Sequence, residues 1–172
     1  IVLPSGSCAA MITHHWHDLF AGDEAMLAKI GAIAGRTYEL TQFLVDVLDV
    51  TDVGAQGNGR VTYHPSCHGL RQLNLRAQPA RLLENVTGQE QLDLPDAETC
   101  CGFGGLFAVK MGDISGAMLA NKLDNIEASG ADTVIGSDVS CLMHIAGGLK
   151  KRGSNVQVKH IAEILRTGMN ND

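Results

Sequence analysis

Short apolar runs, each closed by a polar turn and followed by a helical stretch, constrain the fold of this chain more than any other feature. Thr133-Val134-Ile135-Gly136 has the pattern of a buried strand and gives way to Ser137-Asp138, then to a helix expected over residues 140–151. Val156-Gln157-Val158 precedes a helix expected over 161–166, and a strand expected over 60–63 ends at Pro65 before a short helix near Cys67. Strands alternating with helices in this way predict an α/β fold: a largely parallel sheet with flanking helices. Between them the pattern predicts a helix over 80–86, a strand over 91–94, and a long helical stretch after the glycine-rich turn at 101–105. That stretch ends at Gly130, which suits the left-handed position beyond a helix end.

The N-terminal part starts abruptly. Ile1-Val2-Leu3 reads as a core strand with no lead-in, which points to a fragment of a longer chain. Helix-compatible residues begin at Cys8. Asp23 suits the cap of a helix carrying Met26, Leu27, Ile30, Ile33 and Ala34 on one face, and Leu40, Phe43, Leu44, Val47 and Leu48 make another such face. Residues 54–59 read as a loop. One internal repeat is visible: residues 2–12 superpose on 135–145, each a strand, a polar turn, Ser-Cys and a helix. Two pseudo-repeated halves are therefore expected. Residues 1–59 would hold the end of an incomplete first half with linking helices, and 60–172 the whole second half.

Composition narrows the function. Apolar residues make up 45% of 172, enough for a core. Thirteen Lys and Arg against nineteen Asp and Glu give a net charge of −6 with no basic run, which argues against a nucleic-acid partner. No apolar stretch is long enough to span a membrane, and no signal-peptide pattern is present, so a cytoplasmic location is expected. Five cysteines in such a chain do not suggest a disulfide framework. Metal binding or redox chemistry is the alternative.

Their spacing supports this. Cys67 is followed by 32 residues, then the adjacent pair Cys100-Cys101, then 39 residues, then Cys141, and each lies at a turn next to a helix start or a glycine-rich segment. In a parallel sheet such turns share the edge where strands end and ligands bind. Zinc sites usually draw on closely spaced cysteine pairs, which are absent here. Four thiolates from separated segments suit an iron–sulfur group better, with zinc kept as the alternative in protein prepared in air. Gly102, Gly104 and Gly105 would let backbone N–H groups approach its sulfurs.

These segments carry a resemblance. His64-Pro65-Ser66-Cys67-His68, Thr99-Cys100-Cys101-Gly102-Phe103-Gly104-Gly105 and Ser137-Asp138-Val139-Ser140-Cys141-Leu142-Met143-His144 are similar to the cysteine-rich CCG domain family, as is Pro4-Ser5-Gly6-Ser7-Cys8 at the end of a first half. The resemblance implies an iron–sulfur electron-transfer subunit, closest to the branch serving cytoplasmic oxidoreductase complexes that convert L-lactate to pyruvate. Other branches serve glycolate oxidase and heterodisulfide reductase. It implies a [4Fe-4S]-type cluster held by Cys67, Cys100, Cys101 and Cys141, with Cys8 as the last ligand of the first half, and other subunits of the complex as partners. The family motif often ends Cys-x-x-Cys, whereas this chain has Cys141-Leu142-Met143-His144; a fifth ligand is either missing or replaced by His144.

Gly102, Gly104 and His68 are the expected cofactor-contacting residues. His64 and His68 read equally as donors beside the site or as loop histidines. His14, His15 and His17 read as solvated helix surface, and Met11, Met118 and Met143 as core. The run from Gly102 to Phe107 lacks the third glycine of a dinucleotide-binding turn. A zinc-stabilised scaffold with no redox role is the competing reading.

Overall fold

The computed structural model describes residues 1–168, so the last four residues of the expected second half lie outside the described chain. The chain opens with β1 (Val2–Leu3) and α1 (Gly6–Ala10), which runs through a π-helical turn into α2 (Trp16–Leu19). Then come α3 (Glu24–Ala34), β2 (Tyr38–Glu39) and α4 (Leu40–Gln42), which continues as a π-helical turn to Val47. Strand β1 pairs in parallel with β2 in a small sheet of their own.

A four-stranded sheet forms the centre of the rest. Its strands are β3 (Gln56–His64), β4 (Thr87–Gln91), β5 (Thr133–Gly136) and β6 (Gln157–His160), all parallel, in the order β4-β3-β5-β6. Helices α5 (Cys67–Arg71) and α6 (Ala77–Glu84) join β3 to β4; α7 (Leu106–Lys110) and α8 (Gly112–Ala128) lead to β5; α9 (Val139–Arg152) and α10 (Ile161–Arg166) flank β6. The parallel α/β architecture is the one the alternating pattern predicts.

Successive strand residues face opposite sides of a sheet. Val61 and Ile135 pack on one side with Leu82 and Leu83 of α6 and Ile161, Ile164 and Leu165 of α10. Val134 packs on the other side with Leu123 and Ile126 of α8, Ile145 and Leu149 of α9, and Cys101. Both faces are covered, so β5 reads as a continuous apolar run, whereas β3 is buried only over its last residues. The chain leaves β3 toward β4, then crosses to β5 on β3's other side. The carboxyl ends of β3 and β5 therefore form a topological switch point, where a crevice opens in sheets of this kind.

Several expectations shift. The strand expected at 91–94 lies at Thr87–Gln91, a polar edge strand with no apolar pattern to reveal it. Strand β3 starts at Gln56 within the expected loop, with its register slipping between Gln56 and Gly59. The long helix breaks at Met111, whose φ of −124° is not helical. Met11 and Met143 are exposed at 49% and 60% rather than core, because each lies on the outer side of its helix.

The repeat has a structural counterpart. Strand β1, cap Ser5 and α1 match β5, cap Asp138 and α9, with both caps extended and Cys8 and Cys141 each third in its helix. Likewise Glu39 caps α4 after β2, and His160 caps α10 after β6.

Candidate metal centre

Local capping places the thiols. Beyond His64, the last residue of β3, Ser66 caps α5 by accepting from Gly69 N–H at 3.1 Å, which makes Cys67 the first helical residue. Beyond β5, Asp138 accepts from Ser140 N–H at 3.2 Å and starts α9, so Cys141 lies one turn in. Cys100 and Cys101 end the loop after β4. The turn that follows needs Gly102, whose φ is +86°; a side chain there would meet the Ser115 carbonyl oxygen at 2.6 Å. Ser115 Oγ donates to the Gly102 carbonyl at 2.8 Å, and Gly102 N–H donates to Cys100 Sγ at 3.3 Å.

Three separated segments thus meet at the switch point. Cys67, Cys100, Cys101 and Cys141 line one cavity of about 360 Å³, together with Ser7, His68, Phe103, Gly104, Gly105, Asp138 and Ser140. All five cysteines are free thiols. One further donor joins them. His64 is 1% exposed, and one of its ring nitrogens forms a set with Cys101 and Cys141 Sγ in which the three donor atoms are within 4.8 Å of one another.

The electrostatics suit a bound cation. Neither nitrogen of His64 has a hydrogen-bond partner, an arrangement that costs free energy unless something else engages the ring. Burial pulls its pKa down to about 4, helped by the charge of Lys122, so the imidazole is neutral and keeps a lone pair. Hydrogen bonding from Cys101 and Cys67, with help from Gly102 N–H, holds the Cys100 thiol far below its usual value. Cys67, bonded to Cys100 and partly buried, is pushed up; so is Cys101, through Cys100, Cys141 and burial. One thiolate is stabilised at the expense of its neighbours, and a multivalent cation would let all of them ionise. The donor set fits a thiolate-bound metal group.

The profile of the cysteine-rich domain, the family named by its Cys-Cys-Gly signature, matches residues 61–146, which span half of the chain and include all four of these thiols. The chain belongs to the cysteine-rich domain family. Lactate utilization protein A from Geobacillus sp. (strain WCH70) is 51% identical over 167 residues, covering 97% of this chain and 70% of that protein. The protein of the same name from Macrococcus caseolyticus (strain JCSC5402) is 51% identical over 96% of this chain and 67% of its own length. That from Lysinibacillus sphaericus (strain C3-41) is 46% identical over 96% and 72%.

The other residues singled out from sequence fall in different places. His68 and Gly104 line the cavity, while Gly102 reaches Cys100 through its backbone. Cys8 is exposed and does not line the cavity; its neighbour Ser7 does. His144 does not line it either. Its Nε2 is 3.5 Å from Ser115 Oγ, and its ring meets Phe103 edge-on at 5.8 Å. The imidazole that the structure sets among the thiols is that of His64. Its signal in sequence was its place at the end of a buried strand three residues before Cys67. No helix among the described residues is long and apolar enough to cross a membrane.

Proposed function

We propose that this chain is the iron–sulfur electron-transfer subunit of a cytoplasmic oxidoreductase complex that converts L-lactate to pyruvate. The observation that carries the electron-transfer reading is the meeting of four free thiols from three segments around one cavity. The substrate comes from the name shared by the relatives, lactate utilization protein A. In this reading Cys67, Cys100, Cys101 and Cys141 hold a [4Fe-4S]-type cluster, which supplies storage of single electrons when bound. Gly102 N–H donates to the Cys100 sulfur, and His64 offers a neutral ring nitrogen to the metal side. His68 and Gly104 flank the cavity mouth, and Phe103 shields one wall from water. Cys8 serves a corresponding site of the first half.

Oxidation of L-lactate to pyruvate releases two electrons and two protons. Bond breaking at carbon is assigned to the partner subunits, and this chain to carriage of the electrons. Anaerobic reconstitution with iron and sulfide, followed by electron paramagnetic resonance (EPR) in the presence of the partner subunits, tests this. Lactate should reduce the cluster. A loaded cluster that stays oxidised under lactate would remove the substrate assignment.

One observation favours a second reading. His64, Cys101 and Cys141 alone form a three-donor set, and Cys67 or Cys100 could complete a tetrahedral zinc site that braces the fold without redox work.

A further inference from the structure

We infer that Lys122 supplies the positive charge that balances the group held by Cys67, Cys100, Cys101 and Cys141, and thereby sets how readily that group accepts an electron. The inference rests on the iron–sulfur reading above.

Lys122 lies on α8 between Leu119 and Leu123, residues that pack with Cys101, and it is 0% exposed. It is the one buried lysine among the described residues. An ammonium taken out of water is costly unless an opposite charge compensates. No carboxylate lies within ion-pairing distance of it among the described residues. Its Nζ donates to the carbonyls of Asp96 at 3.0 Å and Ala97 at 3.1 Å, on the loop that leads to Cys100. Burial pulls the Lys122 pKa down, and ionised sulfur at Cys101 and Cys67, then Asp96 and Cys100, works against that pull. Asp96 itself is exposed, and solvent screens it.

The geometry is that of a buried lysine on a helix packed with Cys101, tied to the loop that carries Cys100. Thiolate-bound iron–sulfur groups carry net negative charge, and each added electron deepens it. A fixed positive charge at short range in a low-dielectric core stabilises the reduced form more than the oxidised form, so it raises the reduction potential. Arg71 also acts on Cys67, but it is solvent-exposed, and screening weakens it. His64 is neutral. Asp138 lines the same cavity as a hydrogen-bonded carboxylate of opposite sign. Lys122 is therefore the main fixed positive charge on the protein side of the site.

A purely mechanical role, tethering the 96–97 carbonyls, is separable from the electrostatic one. K122Q keeps an N–H donor for the carbonyls and removes the charge; K122R keeps the charge. Both full-length variants are reconstituted anaerobically beside wild type, and the midpoint potential is read by EPR-monitored redox titration, with iron content and circular dichroism as controls. At the potential where wild type is half reduced, the reduced-to-oxidised ratio in K122Q should fall by at least about tenfold, equivalent to about 59 mV for a one-electron couple. K122R should stay near wild type. A folded K122Q that holds no iron while K122R does would support the same conclusion. A K122Q potential equal to that of wild type, or loss of iron in both variants, would overturn it. Should K122Q fail to fold, K122M carries the comparison, since exchanging a buried charge for an apolar group is often stabilising. If wild type itself takes up no iron, the proposed function fails. The electron-accepting part falls with it, and the charge-balancing part is then read from Co²⁺ titration of the same proteins: about tenfold weaker binding by K122Q than by wild type supports it, and equal binding overturns it.

Discussion

Cys101 is both a core side chain and a site side chain. It is 1% exposed, packs with Leu94, Leu123 and Ile145, and faces the cavity through its sulfur. Cys101→Ser should keep the far-UV circular dichroism of the parent and lose its bound metal, since serine is a harder ligand with a much higher pKa. A buried hydroxyl among apolar neighbours should lower stability by about 1–3 kcal/mol in urea unfolding. His64 gives the opposite signature. With both ring nitrogens unpartnered, His64→Leu should leave the metal-free chain as stable or more stable, while metal affinity falls by about 10- to 100-fold. Chemical unfolding and competitive metal titration separate the two effects. A His64→Leu chain that unfolds earlier and binds metal normally would make His64 a packing residue alone.

At the scale of elements, the caps hold the site. Asp138 starts α9, and its Oδ2 also accepts from Ser7 N–H at 3.0 Å and Ser5 Oγ at 3.1 Å, fastening α1 to the start of α9. Burial pushes the Asp138 pKa up, but hydrogen bonds from Ser140, Ser7 and Ser5 outweigh it and hold the carboxyl below the usual aspartate value. A pKa lower in the folded chain than in the unfolded one means that the contribution is complete above the unfolded value of about 3.9 and disappears as pH falls through the folded value. Once corrected for its intrinsic slowing in acid, amide hydrogen exchange in α1 should therefore accelerate on acidification below about pH 4. Asp138→Ala should produce the same acceleration at neutral pH and cost about 1–3 kcal/mol, as loss of a charged, hydrogen-bonded acceptor does. Slow α1 exchange in that variant would show that the first helix is held elsewhere.

For the whole molecule, the parallel α/β layout and the turns bearing cysteine were legible because buried parallel strands write themselves as apolar runs, and Val134-Ile135 is such a run. Thr87–Gln91 was not legible, being an exposed edge of polar residues, and Tyr38–Glu39 is too short to make a pattern. At the site, the cysteines announced themselves by position. His64 did not, because a strand-end histidine reads the same whether it is buried or solvated. Lys122 gave no sign, because a charge on a helix ordinarily faces water, and only the packing of α8 against the Cys100-Cys101 turn puts it inside. The central claim is that four thiols at the switch point hold iron together with inorganic sulfide. Acid-labile sulfide and iron per chain, measured after anaerobic reconstitution and desalting, address it directly. The four-thiol site predicts near-equal iron and sulfide retained by the wild-type chain and neither retained by Cys101→Ser. A wild-type chain that keeps one zinc ion and no sulfide would contradict it.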